Sequence, residues 1–143
     1  MPTSRNQYPK DLFINWINKK NMTFSELIDS EKPVLIDFYA DWCAPCRAMK
    51  PVLEDLKTKL GEKITIFKVD VEKNQSVSER FDIRSIPTLI IFKNGKPVWR
   101  KAGVASASEL NTAFNNLNSW VYYWYQKRVN QSVAMNPIIN QVF

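Results

Sequence analysis

Histidine is absent from this chain of 143 residues, and cysteine occurs only twice, at Cys43 and Cys46. A structural zinc site needs four ligands, so an intrachain Cys/His site is excluded. Only a site shared between two chains, or one completed by carboxylates, stays open. Covalent haem attachment needs a histidine after the second cysteine, and Arg47 occupies that position. The sequence therefore predicts no metal site and no cofactor.

Other shortages exclude further classes of protein. The three glycines rule out collagen-like chains and Gly-rich linkers. No apolar run approaches the roughly 18 residues that a membrane-spanning helix needs. The net charge of +6 is spread thinly, so no nucleic-acid partner is predicted. The N-terminal stretch has no apolar core typical of a signal peptide, so we expect a cytoplasmic protein.

The middle of the chain alternates between strand-like and helix-like patterns. Continuous apolar runs predict buried strands, spacings of three and four predict amphipathic helices, and Asn94-Gly95 predicts a hairpin turn. Pro51 is expected to kink the helix that contains it. The predicted order is a helix from about Thr23, strand 33–40, helix 44–60, strand 63–71, a short helix near Asn74, strands 88–92 and 98–101, and a helix capped by Ser106 or Ser108. This order predicts an α/β fold with a mixed central sheet and helices on both faces.

The two cysteines stand where a predicted strand ends and a predicted helix begins. A purely structural disulfide would close a very short loop, which restricts the unfolded chain least. A redox-active dithiol suits the position better, because the positive end of a helix lowers a thiol pKa. Pro45 fits the first helical turn, where its missing N–H costs nothing.

Several motifs in order resemble thioredoxins: "VLIDFYADWCAPC", "FKVDV", "IRSIPTLIIFKNGK" and "KAG" before a helix. The resemblance covers about residues 23–117 and implies the thioredoxin fold with extended N- and C-terminal segments. The domain boundaries that it predicts are an N-terminal extension at 1–22, the thioredoxin-like domain at 23–118 and an aromatic extension at 119–143. No clear counterpart of the family's first edge strand is found.

The resemblance also implies catalytic residues. Cys43 matches the nucleophilic cysteine and Cys46 the resolving cysteine. Asp37 matches a buried carboxylate that exchanges a proton with Cys46, and an aspartate inside an apolar strand does conflict with β propensity. Lys68 matches the lysine that lies near this carboxylate.

A substrate groove is the second implication of the resemblance. Pro87 matches a cis-proline, and the backbone of the preceding Ile86 is expected to pair with an extended substrate segment. Ala44 stands where thioredoxins usually have glycine, at a position that tunes redox poise. The predicted groove residues are Trp42, Ala44, Pro45, Ile86, Pro87 and Gly103.

The predicted function is a thiol–disulfide oxidoreductase that reduces protein disulfides and receives its electrons from a separate reductase. Two alternatives stay open: an oxidase or isomerase of an oxidising compartment, and a binding module that uses the groove or the aromatic tail. In that tail, five of the six residues at 120–125 are aromatic. They are expected to continue the last helix and to pack on the domain, to contact a partner or a second copy, or to lie on a membrane surface.

Overall fold

The computed structural model describes residues 22–117. Its secondary structure alternates as the sequence patterns predict. The helices and strands are α1 (Phe24–Ile28), β1 (Val34–Tyr39), α2 (Ala44–Leu60), β2 (Thr65–Asp70), α3 (Gln75–Arg80), β3 (Thr88–Lys93), β4 (Lys96–Ala102) and α4 (Ala107–Asn116).

The four described strands form a single mixed sheet in the order β2-β1-β3-β4. β1 runs parallel to β2 and antiparallel to β3, and β3 and β4 form a hairpin. Asn94 and Gly95 both have positive φ, at 52° and 76°, which is the backbone that a two-residue hairpin turn of this type requires. The predicted mixed sheet and thioredoxin fold are confirmed.

Alternation along β1 and β3 divides the core between the two faces of the sheet. On the first face, Leu35, Leu89 and Ile91 pack against the buried side of α2 and against α4. On the second face, Ile36 and Ile90 pack with α1 and a group of phenylalanines. Helices therefore cover both faces, as predicted.

Capping boxes begin the first and last helices. Thr23 accepts a hydrogen bond from the backbone N–H of Glu26, whose side chain binds the backbone of Thr23 in return. Ser106 and Glu109 make the same pair of bonds at α4. The structure thus selects Ser106, and not Ser108, as the cap of α4.

One strand boundary predicted from the sequence needs correction. β2 begins at Thr65 instead of residue 63, because Gly61–Lys63 form a single 3₁₀ turn. The Lys57 ammonium stabilises this turn by donating to the carbonyls of Gly61 and Ile64, at 2.8 and 2.9 Å. α2 contains Pro51 and is continuous as far as Leu60, and the kink expected at Pro51 stays a prediction.

The domain boundaries remain a prediction. Both extensions, including the predicted continuation of the last helix, lie outside the described residues apart from Met22. Within residues 22–117, β2 forms one edge of the sheet. No helix in this part of the chain has the length and hydrophobicity to cross a membrane.

Candidate redox site

The start of α2 positions the two cysteines. Cys43 is the N-cap, with extended backbone (φ −82°, ψ 109°), and its Sγ accepts a hydrogen bond of 3.2 Å from the N–H of Cys46. The pair forms a disulfide with a Cα–Cα distance of 5.2 Å, and both residues are buried. The same N–H groups and helix dipole that hold a sulfur here favour a thiolate when the pair is reduced.

The segment before β3 lies opposite the dithiol. The carbonyl oxygen of Ile86 is 3.8 Å from Cys43 Sγ, and the Ile86–Pro87 peptide is cis, as the resemblance implied. The N–H of Gly103 donates to the carbonyl of Pro87 over 2.7 Å. Gly103 has φ +94°, a backbone that side-chain-bearing residues rarely adopt. These contacts place Ile86 beside the Cys43 sulfur and tie Gly103 to the neighbouring Pro87.

The outer rim of the site is exposed. Trp42 is 66% exposed, and its indole Nε1 donates to Glu72 Oε1 at 2.8 Å. Ala44 and Pro45 are exposed beside it. An exposed tryptophan fixed by a hydrogen bond presents a large, pre-ordered apolar surface to a partner.

Asp37 lies beneath the dithiol helix. Its side chain is 0% exposed, and neither carboxylate oxygen has a hydrogen-bond partner among residues 22–117. Its neighbours Ile36 and Phe38 belong to the second face, so alternation turns Asp37 toward the first face and α2. Cys46 is on the buried side of α2, three residues before buried Met49, and so faces the same layer.

Burial sets the protonation of this carboxyl group. It raises the pKa of Asp37 from an ordinary 3.8 to about 6, and the nearby Lys68 ammonium opposes this rise. A carboxyl with a pKa near 6 changes its charge close to neutral pH, as a proton carrier must.

Lys68 approaches Asp37 from the neighbouring strand. The two residues are directly paired in the β1–β2 register, and Lys68 Nζ lies 4.0 Å from Asp37 Oδ2. The same ammonium lies 4.3 Å from the centre of the Tyr39 ring. The lysine side chain is 41% exposed, so its charge is shared between this buried carboxylate and water.

The sequence analysis missed three residues that shape the site. Tyr39 holds the Lys68 ammonium over its ring, and Glu72 holds the indole of Trp42. Asp70 pairs with Tyr39 in the sheet register. The available signal was the alternation of Asp37 with Tyr39 and of Lys68 with Asp70, which predicts a polar patch on one face of two adjacent strands.

The topology gathers the predicted residues at one end of the sheet. This end contains the carboxyl ends of β1, β2 and β4 and the amino end of β3. The dithiol and rim residues follow β1, the Ile86–Pro87 segment precedes β3, and Gly103 follows β4. Asp37 and Lys68 lie just inside the strands.

Comparison with known proteins agrees with this geometry. The family model described as Thioredoxin matches residues 15–116. The chain belongs to the thioredoxin family.

Among its relatives, thioredoxin Y of rice, described as chloroplastic, is 50% identical over 98 residues, which cover 66% of this chain and 58% of the rice protein. A thioredoxin-like protein of Synechocystis is 42% identical over 95 residues, which cover 66% of this chain and 90% of that protein. Mitochondrial thioredoxin 3 of Saccharomyces cerevisiae in its oxidised form superposes with a TM-score of 0.60 at 29% identity, covering 66% of this chain and 87% of that one.

The family and the disulfide-bonded pair together establish what kind of chemistry the site performs. A thioredoxin domain with Cys43 and Cys46 bonded at the start of α2 has a dithiol–disulfide redox function. Two sulfurs in one tetrapeptide allow the pair to exchange two electrons with another disulfide.

Proposed function

We propose that this thioredoxin reduces disulfides of other proteins by thiol–disulfide exchange. The observation that carries the proposal is the Cys43–Cys46 disulfide at a helix start, with the buried carboxyl of Asp37 in the layer below, which accepts no hydrogen bond within residues 22–117. An inert disulfide needs neither a buried proton carrier nor an exposed aromatic rim.

The first step forms a mixed disulfide. The reduced Cys43 thiolate, favoured by the helix start, attacks one sulfur of the partner's disulfide. The bond between the partner's sulfurs breaks as the Cys43–partner bond forms. The released partner sulfur leaves as a thiolate and takes a proton from water.

The second step releases the partner. Asp37 in its ionised form accepts the proton of the Cys46 thiol, directly or through a water molecule. The Cys46 thiolate then attacks Cys43 Sγ, the bond between Cys43 and the partner breaks, and the Cys43–Cys46 disulfide forms. The partner's second sulfur leaves as a thiolate and takes a proton from water. Two electrons have passed from the dithiol to the partner, and Lys68 stabilises the carboxylate before it accepts the proton.

The groove holds the partner during both steps. We assign the backbone of Ile86 to pairing with an extended segment of the partner, next to the cis bond at Pro87. Trp42, Ala44 and Pro45 provide apolar contact on one side and Gly103 provides backbone access on the other. The exposure of the first three residues supports this assignment.

A separate reductase closes the cycle by returning two electrons to the disulfide. Such a cycle suits a compartment in which thiols are kept reduced. We propose the cytoplasm. The rice and Arabidopsis relatives are named as chloroplastic proteins, so fractionation of source cells is the measurement that separates these two locations.

The deciding experiment is the equilibrium potential of the Cys43–Cys46 pair, titrated against dithiothreitol and followed by thiol alkylation. A potential near about −270 mV supports protein reduction. A potential between about −180 and −120 mV is typical of isomerases and oxidases and would overturn the direction of electron flow. Reduction of insulin by dithiothreitol, with and without the protein, then tests turnover directly.

Self-association through the aromatic residues 120–125 is a separate proposal, which rests on composition alone. Replacing Trp120 and Trp124 with serine in the full chain tests it by sedimentation. Equal masses of the variant and the parent protein would exclude this role for the two residues.

A further inference from the structure

The segment at 81–87 connects α3 to β3 and leads to the backbone of Ile86. α3 ends in a turn with two hydrogen bonds, from Asp82 N to the Glu79 carbonyl at 3.0 Å and from Ile83 N to the Ser78 carbonyl at 2.9 Å. This is the pattern of a Schellman motif, which requires a left-handed residue after the helix and usually has glycine there.

Asp82 takes the glycine position in this turn. Its φ is +49°, which is uncommon for any residue with a side chain. Its carboxylate also receives a hydrogen bond of 2.7 Å from Nε of Arg84. The turn is therefore strained at one residue, so contacts from elsewhere in the fold can help to hold it.

Arg100 on β4 supplies such contacts. Its guanidinium donates from Nη1 to the carbonyl of Phe81 at 2.6 Å and from Nη2 to the carbonyl of Asp82 at 2.8 Å. These carbonyls lie at the negative end of α3, where a cation is favoured. A planar guanidinium can bind two oxygens at once with fixed geometry.

The same strand also holds the other end of the segment. Gly103, just after β4, donates its N–H to the carbonyl of Pro87, and Ala102 pairs with Thr88. Thr88 Oγ1 in turn donates to the carbonyl of Ser85 at 2.6 Å. Residues of β4 and Gly103 after it thus bind the segment by hydrogen bonds on both sides of Ile86.

We propose that Arg100 is a positioning residue for binding of the partner protein. By holding the carbonyls of Phe81 and Asp82, it fixes the path of the chain that presents the Ile86 backbone opposite Cys43. The ligand class that depends on it is an extended peptide flanking a disulfide. The proposal rests on the proposed function, because it concerns how a protein partner is recognised.

The test compares two substrates in the full chain carrying Arg100→Gln. Insulin has peptide backbone around its disulfides, whereas hydroxyethyl disulfide has none. We expect KM for insulin to rise about fivefold, as expected for weakened charge-assisted hydrogen bonds, with kcat changed less than about twofold. The rate with hydroxyethyl disulfide should not change.

Arg80→Gln is the matched control. Arg80 belongs to the adjacent helix and contacts the ring of Phe81, but its hydrogen bond goes to Ser25 Oγ at 3.0 Å and not to the segment. This variant removes the same charge from the same region. Its KM for insulin is expected to equal that of the parent protein.

Rescue variants separate positioning from general stability. Asp82→Gly removes the need for a strained residue, so adding it to Arg100→Gln should restore KM for insulin. Arg100→Lys, which keeps the charge without the planar fork, should give an intermediate KM. If Arg100→Gln alone does not fold, these two variants provide the same comparison.

Each outcome decides the proposal. An unchanged KM for insulin in Arg100→Gln would overturn it. So would an equal fall in the reduction rate with insulin and with hydroxyethyl disulfide. If the parent protein does not reduce insulin at all, the proposed function fails instead. Hydrogen exchange of the backbone amides at 82–86 then decides independently, because faster exchange in Arg100→Gln than in Arg80→Gln supports the positioning role and equal exchange refutes it.

Discussion

One face of the central sheet packs phenylalanine rings against each other, whereas the other face combines an apolar layer with charged side chains. On the aromatic face, the rings of Phe24, Phe38, Phe81 and Phe92 lie with centres 5.1 to 6.5 Å apart. On the opposite face, Asp37 and Lys68 lie in register beneath the helix that carries the dithiol. One face of the strands therefore contributes packing of aromatic rings, and the other places charged side chains beneath the dithiol.

The face of the sheet beneath α2 carries two buried carboxylates, Asp37 and Asp70, which differ in their hydrogen bonds. Asp70 is also buried, but its Oδ1 accepts the backbone N–H of Glu72 at 2.9 Å and Lys73 Nζ lies 3.8 Å from its Oδ2. Asp37 has no hydrogen bond within the described chain. Asp70 stabilises the loop that follows its strand, while Asp37 is costly to ionise. Burial alone therefore does not distinguish the two carboxylates, and the missing hydrogen bond at Asp37 is the feature that calls for an explanation.

The largest effect should come from the sulfurs. Cys43→Ser is expected to abolish insulin reduction, because no nucleophile remains at the start of α2. In Cys46→Ser, the Cys43 thiolate should still attack the partner's disulfide, but no second thiol can release the partner. Mixed disulfides should therefore accumulate and be visible as higher-mass bands on non-reducing gels. Both variants should keep their folded circular dichroism. Residual turnover near the level of the parent protein in either one would refute the assigned roles.

The aromatic face should contribute to the free energy of unfolding without changing the redox potential of the Cys43–Cys46 pair. Phe81→Ala removes a buried ring that contacts Phe24, Phe38 and Phe92, and is expected to cost about 3–5 kcal/mol of unfolding free energy. Urea unfolding measures the loss. The potential of the Cys43–Cys46 pair should stay the same under conditions where the variant is folded. A changed potential would show that the two faces are not independent.

Asp37→Asn should have opposite effects on stability and on activity. A rise in pKa from 3.8 to about 6, at about 1.4 kcal/mol per pKa unit, means that ionising Asp37 costs the folded state about 3 kcal/mol. The folded state binds the proton more tightly, so stability falls as pH rises from about 4 to 6 and is constant above. The variant should therefore be more stable at pH 7, should lose this pH dependence and should resolve mixed disulfides more slowly.

Asp70→Asn is the matched control for this prediction. The substitution replaces the carboxylate by a neutral amide, which weakens the hydrogen bond from the backbone N–H of Glu72 and removes the ion pair with Lys73. It is expected to lower stability at pH 7 by about 1 kcal/mol and to leave the resolution rate unchanged. Equal stability changes in both variants, measured by urea unfolding at pH 7, would contradict the distinction between the two carboxylates.

The smallest predicted effect is that of Lys68→Met. The Lys68 ammonium lowers the pKa of Asp37, so its removal should raise that pKa further. The pH at which mixed-disulfide resolution reaches half its maximum should move upward, as stopped-flow kinetics with a pH series can show. A downward shift would mean that the lysine acts mainly by excluding water from the carboxylate.

Most of the fold could be predicted from local sequence. Apolar runs located the strands, and spacings of three and four located the helices, because burial on a sheet or helix face leaves that periodicity. Asn94-Gly95 specified the hairpin through its backbone preferences. The start of β2 was misplaced, because the 3₁₀ turn before it is stabilised by side-chain hydrogen bonds from Lys57, on the preceding helix.

The sequence by itself determined that a redox-active pair stands between a strand and a helix, because Cys43 and Cys46 lie only three positions apart and their setting is local. Only the tertiary structure decided that Asp37 has no hydrogen-bond partner among residues 22–117, that the Lys68 ammonium lies over the Tyr39 ring, and that Arg100 binds the carbonyls of Phe81 and Asp82. Strand register and side-chain packing bring these groups together across long sequence separations. The charge and strain at each of them depend on distance and burial, which no local pattern encodes.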